Sequence, residues 1–285
     1  MPASVLFDNP GPTTRARHRL YSYVAVAVLV ALIALVVWRL NQAGQFAYDL
    51  WEPFITPKYV EAILEGLLDT LKMAFTAVLG AVVFGVLFGV GKLSDHAVVR
   101  WPCWAVVEFF RAVPVIMLMI FFFYAVFGSL SIQRGGYWSV VAALTLYNGA
   151  VLAEVFRAGI LAVPRGQSEA AYAIGMRKSQ VMNIILLPQA VKIMIPAIIS
   201  QCVVALKDTS LGYIIVAPGL TRVGKAIYIE FANHVPTIIV LAVFYVSVNL
   251  VLTAIATWVQ RKFVGEKKPL EVPMVGEAVG AGPGL

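Results

Sequence analysis

The sequence predicts an all-α integral membrane protein of about six spanning helices, with both termini on the cytoplasmic side. Three observations carry this. Of 285 residues, 60% are hydrophobic and 13% charged, against about 45–50% and about 25% in an average soluble domain. Mean hydropathy is +0.85. The apolar residues gather into six runs, each near the roughly 20 residues a helix needs to cross a bilayer. This composition excludes an ordinary soluble enzyme, a disordered chain and a disulfide scaffold. The net charge of +7 is the excess a membrane protein carries on its cytoplasmic loops, so nucleic acid is not an expected partner. Cys103 and Cys202 suggest neither a disulfide framework nor a metal site.

The first run, Tyr21 to Trp38, is uncharged and follows Arg15, Arg17, His18 and Arg19. It is too long for a signal-peptide core, and Trp38-Arg39-Leu40 is not a small-residue cleavage site. It reads as a retained helix that starts inside the cell. Further spans are expected at about Thr70–Val90, Trp104–Phe127 and Trp138–Val163. A fifth runs with interruptions from Val181 to Val216, and a sixth from Pro236 to Val259. With the N-terminus inside, twelve Lys and Arg fall on cytoplasmic segments and six on external ones, the bias expected for N-in and C-in. Residues 1–14 and 265–285 contain Gly and Pro without periodicity and are expected to be disordered.

Between spans four and five lies a segment, Ala162 to Gln180, too polar to cross the membrane. Pro164 precedes a helix-forming stretch. Ala170, Ala171, Ile174 and Met176 are placed to form one face of a short surface helix. Its pattern is Glu169-Ala170-Ala171, then Gly175, then Ile185, Leu187 and Pro188. These seven positions resemble the "EAA" loop of ABC-importer permeases at the family's own spacing. The cytoplasmic position, obtained separately from charge, is the context such a motif requires. Phe110-Arg111-Ala112-Val113-Pro114 is similar to the F-R-G-T-P element of polar amino-acid permeases, with Ala112 and Val113 departing from it. Glu154-Val-Phe-Arg157-Ala-Gly-Ile160 is similar to their E-x-x-R-G-G-I element, with Ala158 for the first Gly. Lys207-Asp208-Thr209-Ser210-Leu211 is also typical of that group.

The resemblance implies a five-helix type I importer core at residues 59–262, with a coupling helix at about 164–180. Residues 1–20 would be a cytoplasmic tail, 21–58 an added helix with an external loop, and 263–285 a second tail. It implies a permease subunit in the bacterial cell membrane, passing a polar amino acid inward by alternating access. Glutamate-type permeases of Gram-positive bacteria are the most similar group. The implied partners are a second permease of different sequence, two cytoplasmic ATPase subunits and an external binding protein. ATP and Mg²⁺ would be held by the ATPase, with no cofactor and no catalytic residue in this chain.

The remaining chemistry supports a division of labour. Gly219 to Lys225 fits G-x-x-x-x-G-K, but Ala226 stands where a P-loop needs Ser or Thr, and no strand is expected before it. Charges inside spans cost ~2.5–3.5 kcal/mol each and point to function. Asp69 and Lys72, Glu108 and Arg111, and Glu154 and Arg157 are each three residues apart on one helix face. Two readings stay open for them: self-neutralising pairs, or a gate in which one member meets substrate. Lys207, Asp208, Thr209 and Ser210 interrupt the fifth run, with Pro188, Pro196 and Gly212 as expected breaks. Transporters place substrates at broken helices, so this segment is the candidate substrate pathway. The plain alternative is a lysine that snorkels at the outer mouth. His18, His96 and His234 share no ligand spacing. A stand-alone secondary transporter would need internal repeats in a larger chain, and a membrane enzyme a nucleophile–base pair. Neither is legible.

Overall fold

A computed structural model describes residues 12–264 of the chain. Among these residues the structure is helical throughout, without strands. Helix α1 is Pro12–Gln42, followed by a short α2 at Tyr48–Trp51. Helix α3 is Pro57–Lys92, α4 is Ala97–Ala112, α5 is Val115–Phe121 and α6 is Ile132–Leu161. Two short cytoplasmic helices follow, α7 at Arg165–Ala173 and α8 at Lys178–Gln180. Then come α9 at Leu187–Asp208, α10 at Leu220–Phe231 and α11 at His234–Val264. Five helical stretches are long and apolar enough to cross a membrane, and the bent pair α4–α5 makes a sixth. The tails expected to be disordered lie outside the described residues, except that Pro12–Thr14 open α1.

Helix α6 is the centre. Most of its apolar stretch is buried, and its faces meet α3, α4, α5 and α9. One core cluster joins Met73 and Ala77 of α3, Leu118 and Met119 of α5, and Val140 and Leu144 of α6. A second joins Ala81 of α3, Leu152, Phe156 and Ile160 of α6, and Ala190 and Met194 of α9. By contrast, the side chains of α1 are exposed along nearly its whole length, and its Val, Leu and Ile stripe suits contact with lipid.

Small residues set the α3–α6 approach, as they do where membrane helices pack closely. A Cβ on Gly85 would stand 2.7 Å from Leu152 Cβ, and one on Gly89 would stand 2.8 Å from the Ala153 carbonyl oxygen. That oxygen is backbone and cannot step aside. We therefore expect Gly89→Val to destabilise the chain by about 1–3 kcal/mol or more. Gly166→Ala should be neutral, because among the described residues nothing lies within 4 Å of its added Cβ. Thermal unfolding of the purified variants, followed by size-exclusion chromatography, checks the pair.

One expectation about the spans is refined and another is corrected. The third is not one straight helix from Trp104 to Phe127: α4 and the stretch Val115–Val126 meet at 98°. Pro114 is the reason. It lacks an N–H and forces the preceding residue out of the helical region, and Val113 sits at φ −80°, ψ 128°. In the fifth span, Pro196 does not end the helix but lies inside α9. The interruptions fall instead at a π-helical turn over Val181–Leu186, just before Pro188, and at a 3₁₀ turn over Thr209–Ile215 that contains Gly212.

Candidate functional site

The coupling segment is shorter than its motif. Helix α7 covers only Arg165–Ala173. Ile174 caps it, and Gly175 follows at φ +83°. The Gly175 N–H reaches the Tyr172 carbonyl at 2.9 Å, and the Met176 N–H reaches that of Ala171 at 3.1 Å. These two bonds form a Schellman turn, whose left-handed residue is most often Gly. Ala171 is buried against the body of the protein, whereas Glu169, Ala170 and Ile174 are exposed. The expected single apolar face is therefore split, with Ala171 facing inward and Ile174 outward. Beyond the turn, Ile185 is half-buried, and Leu187 and Pro188 are exposed at the start of α9.

Lys178 bonds the carboxylate of Asp95 in the α3–α4 loop. That hydrogen bond and the lysine charge hold the Asp95 carboxyl below its usual range. Arg100 donates to the Ser94 and Asp95 carbonyls at 3.2 and 3.3 Å. The α3–α4 loop and the coupling segment thus meet at one end of the bundle, the cytoplasmic end by the charge bias.

At that end the two charge pairs inside the spans become one cluster. Arg111 Nη1 lies 3.3 Å from Glu108, and Arg157 Nε lies 2.9 Å from Glu154. Sequence reasoning placed Lys92 only among the cytoplasmic charges. In the structure its side chain is 5% exposed and bonds both carboxylates, Glu108 at 3.3 Å and Glu154. The result is a chain of alternating charge across α4, α3 and α6. The third pair, Lys72 with Asp69 at 3.2 Å, stands apart, and its lysine is largely exposed.

Lys92→Met would remove the shared partner and leave each glutamate only its own arginine. Breaking a fully buried pair costs ~3–5 kcal/mol. Solvent reaches Glu108 and Glu154, so we expect about 1–3 kcal/mol here. Adding Glu154→Gln should not recover that loss, because it leaves Arg157 without its carboxylate. Melting temperatures of the three purified forms test this, and an unchanged Lys92→Met would remove Lys92 from the structural role.

Two cavities of about 710 Å³ each open on the protein. The inner one is lined by the Lys92 cluster, together with Arg100, Trp101 and Trp104. The outer one lies among α3, α6 and α10 and includes Asp69, Arg134 and Arg222. A Tyr59 hydroxyl donating to Glu230 at 2.8 Å ties α3 to α10 on its wall. Lys207 lines neither cavity. It is exposed at the end of α9, next to a half-buried Asp208. Thr209 is buried, and its hydroxyl donates to the Leu206 carbonyl at 2.6 Å. Of the two neighbouring hydroxyls, only Ser210 is left accessible. Gly219, at the head of the near-P-loop stretch, simply opens α10 after a 3₁₀ turn.

Stacked crossings around α6 and an exposed, glycine-terminated helix before the fifth crossing define a multi-pass helical permease of the ABC-importer type. Residues 62–265 match the family described as binding-protein-dependent transport system inner membrane component, and the chain belongs to it. The glutamate transport system permease protein GluD of Corynebacterium glutamicum is 41% identical over 226 residues, covering 78% of this chain and 83% of that protein. The glutamate/aspartate import permease protein GltK of Escherichia coli O6:H1 is 32% identical over 207 residues, covering 70% and 92%. Among solved structures, an amino acid ABC transporter crystallised with histidines is similar at a TM-score of 0.67 and 28% identity, over 72% of this chain and 95% of that one. Helix α1 precedes the matched family region.

Proposed function

We propose that this permease passes an acidic amino acid, glutamate first, into the cell as one subunit of an ATP-driven importer in a bacterial plasma membrane. The observation that carries the coupling half of this reading is α7. It is short, exposed on its Glu169 and Ala170 side, and ended by Gly175 in the left-handed conformation. In this reading Glu169, Ala170, Ala171 and Gly175, with Ile185, Leu187 and Pro188 behind them, meet the cleft of a separate ATPase subunit. That subunit holds ATP and Mg²⁺. The glutamate half is supported by the 41% identity to a glutamate permease.

Alternating access needs two facing halves. The assembly therefore comprises a second permease of different sequence, two ATPase subunits and an external binding protein. Lys207, Asp208 and Ser210 serve the substrate pathway, and the Glu108–Arg111 and Glu154–Arg157 pairs serve the inner gate. The test is to purify the intact complex and identify its bound amino acid by mass spectrometry. Glutamate, with uptake into proteoliposomes that requires ATP, is the expected result. Uptake by this chain alone would overturn the reading in favour of a stand-alone transporter.

A further inference from the structure

We infer that one water molecule is built into the outer half of the bundle, where it joins α3, α10, α11 and the 3₁₀ turn after α9. A small cavity of about 10 Å³ lies at their meeting point. Its lining brings hydroxyl side chains from all four elements together: Thr70 of α3, Thr209 of the turn, Thr221 of α10 and Tyr245 of α11. Thr70 and Thr209 are buried, and Thr70 and Tyr245 stand in the outer halves of their helices. Gly219 keeps the space open. Its φ is +143°, and a Cβ there would stand 2.9 Å from Thr70 Oγ1. Size limits the occupant. A water needs roughly 10–15 Å³ of such room and two to four polar partners, so this cavity takes one water and no amino acid or phosphate.

A proton count selects water over an ion. The Thr70 hydroxyl donates to the Gly66 carbonyl and accepts the Leu220 N–H, both at 2.9 Å. The Thr209 hydroxyl donates to the Leu206 carbonyl at 2.6 Å. Thr221 and Tyr245 bond each other at 2.9 Å, which leaves one O–H of that pair to donate elsewhere. Each threonine oxygen has two lone pairs, so Thr70 keeps one and Thr209 keeps both. The cluster is therefore short of protons, and a water brings two while accepting the spare O–H. Within the depth of a bilayer no bulk solvent meets such groups, and leaving them unmet is costly. A cation fits poorly, because no carboxylate lines the cavity and Arg222 does. This inference depends neither on the substrate moved nor on the partner subunits.

The experiment is an electron cryo-microscopy structure of the full chain in its intact complex, at a resolution that shows ordered water, from sodium buffer and from N-methylglucamine buffer. One density peak is expected at about 2.5–3.0 Å from at least three of the hydroxyl oxygens of Thr70, Thr209, Thr221 and Tyr245, equal in the two buffers. Thr209→Val should remove the peak and Thr209→Ser should keep it. Melting temperatures of Thr209→Val, Tyr245→Phe and the double variant give a second reading. The double variant should melt about where the worse single variant does, because the water on which both depend leaves with the first substitution. A cavity without a peak overturns the assignment, as does a peak that persists in Thr209→Val. A peak seen only in sodium also overturns it and gives the site to a cation. Fully additive losses in melting temperature overturn it as well, because the hydroxyls then act separately. If Tyr245→Phe does not fold, the maps of wild type, Thr209→Val and Thr209→Ser still decide.

Discussion

Gly175→Arg is expected to lower ATP-driven uptake and substrate-stimulated ATPase activity at least tenfold, with normal membrane insertion. The argument is local. Gly175 sits at φ +83°, and among the described residues nothing lies within 4 Å of a Cβ placed there. A non-glycine residue in the left-handed region costs roughly 1–2 kcal/mol. That penalty falls on an exposed turn and not on the core, so the fold survives it. In the proposed assembly, the long charged side chain then enters the cleft of the ATPase subunit. A series separates strain from obstruction. Gly175→Asn should act nearly as wild type, because Asn tolerates this conformation. Gly175→Ala should show the strain alone. Only Gly175→Arg adds a long charge on the partner's side. Reconstituted uptake and ATPase assays on the three variants read this directly, and a well-expressed Gly175→Arg with unchanged coupling removes α7 from its assigned role.

The same residue shows what a sequence can carry. Spans are legible because bilayer thickness and helical rise turn the length of an apolar run into a crossing. A glycine after a helix-forming stretch is legible because only the left-handed turn calls for it so often. The 98° bend between α4 and α5 was not legible. Pro114 announces an interruption but not its angle, and the surrounding residues stay apolar on both sides. The Lys92 cluster escaped for a different reason. Asp69 with Lys72, Glu108 with Arg111 and Glu154 with Arg157 are neighbours along one helix, so spacing reveals them. Lys92 meets partners 16 and 62 residues away, and no periodicity encodes a contact between helices. Thr209 is the converse case. Its type suggested a hydroxyl donor for substrate, but the tightening of α9 into a 3₁₀ turn commits that hydroxyl to the chain's own backbone.

Lys207→Ala is expected to abolish glutamate transport while the complex still assembles. An acidic amino acid brings two carboxylates and one ammonium, and in a poorly hydrated path the second carboxylate needs a cation. Losing such a partner costs several kcal/mol, about 3–5 when the pair is fully buried, or at least a hundredfold in rate. Lys207 closes α9 with its side chain exposed, free to meet a ligand or a facing subunit. Ser210, one turn on and half-buried, supplies the accessible hydroxyl that Thr209 cannot. Lys207→Arg should transport partially, because the charge remains but the reach and donor geometry change. Neutral amino acids sharpen the test. If Lys207 meets the side-chain carboxylate, Lys207→Ala should lose glutamate uptake far more than any residual glutamine uptake. If Lys207 only snorkels at the outer mouth, the variant moves glutamate at nearly the wild-type rate. In that event the cation for the second carboxylate must be sought where the structure concentrates positive charge, at Arg111 and Arg157 around Lys92.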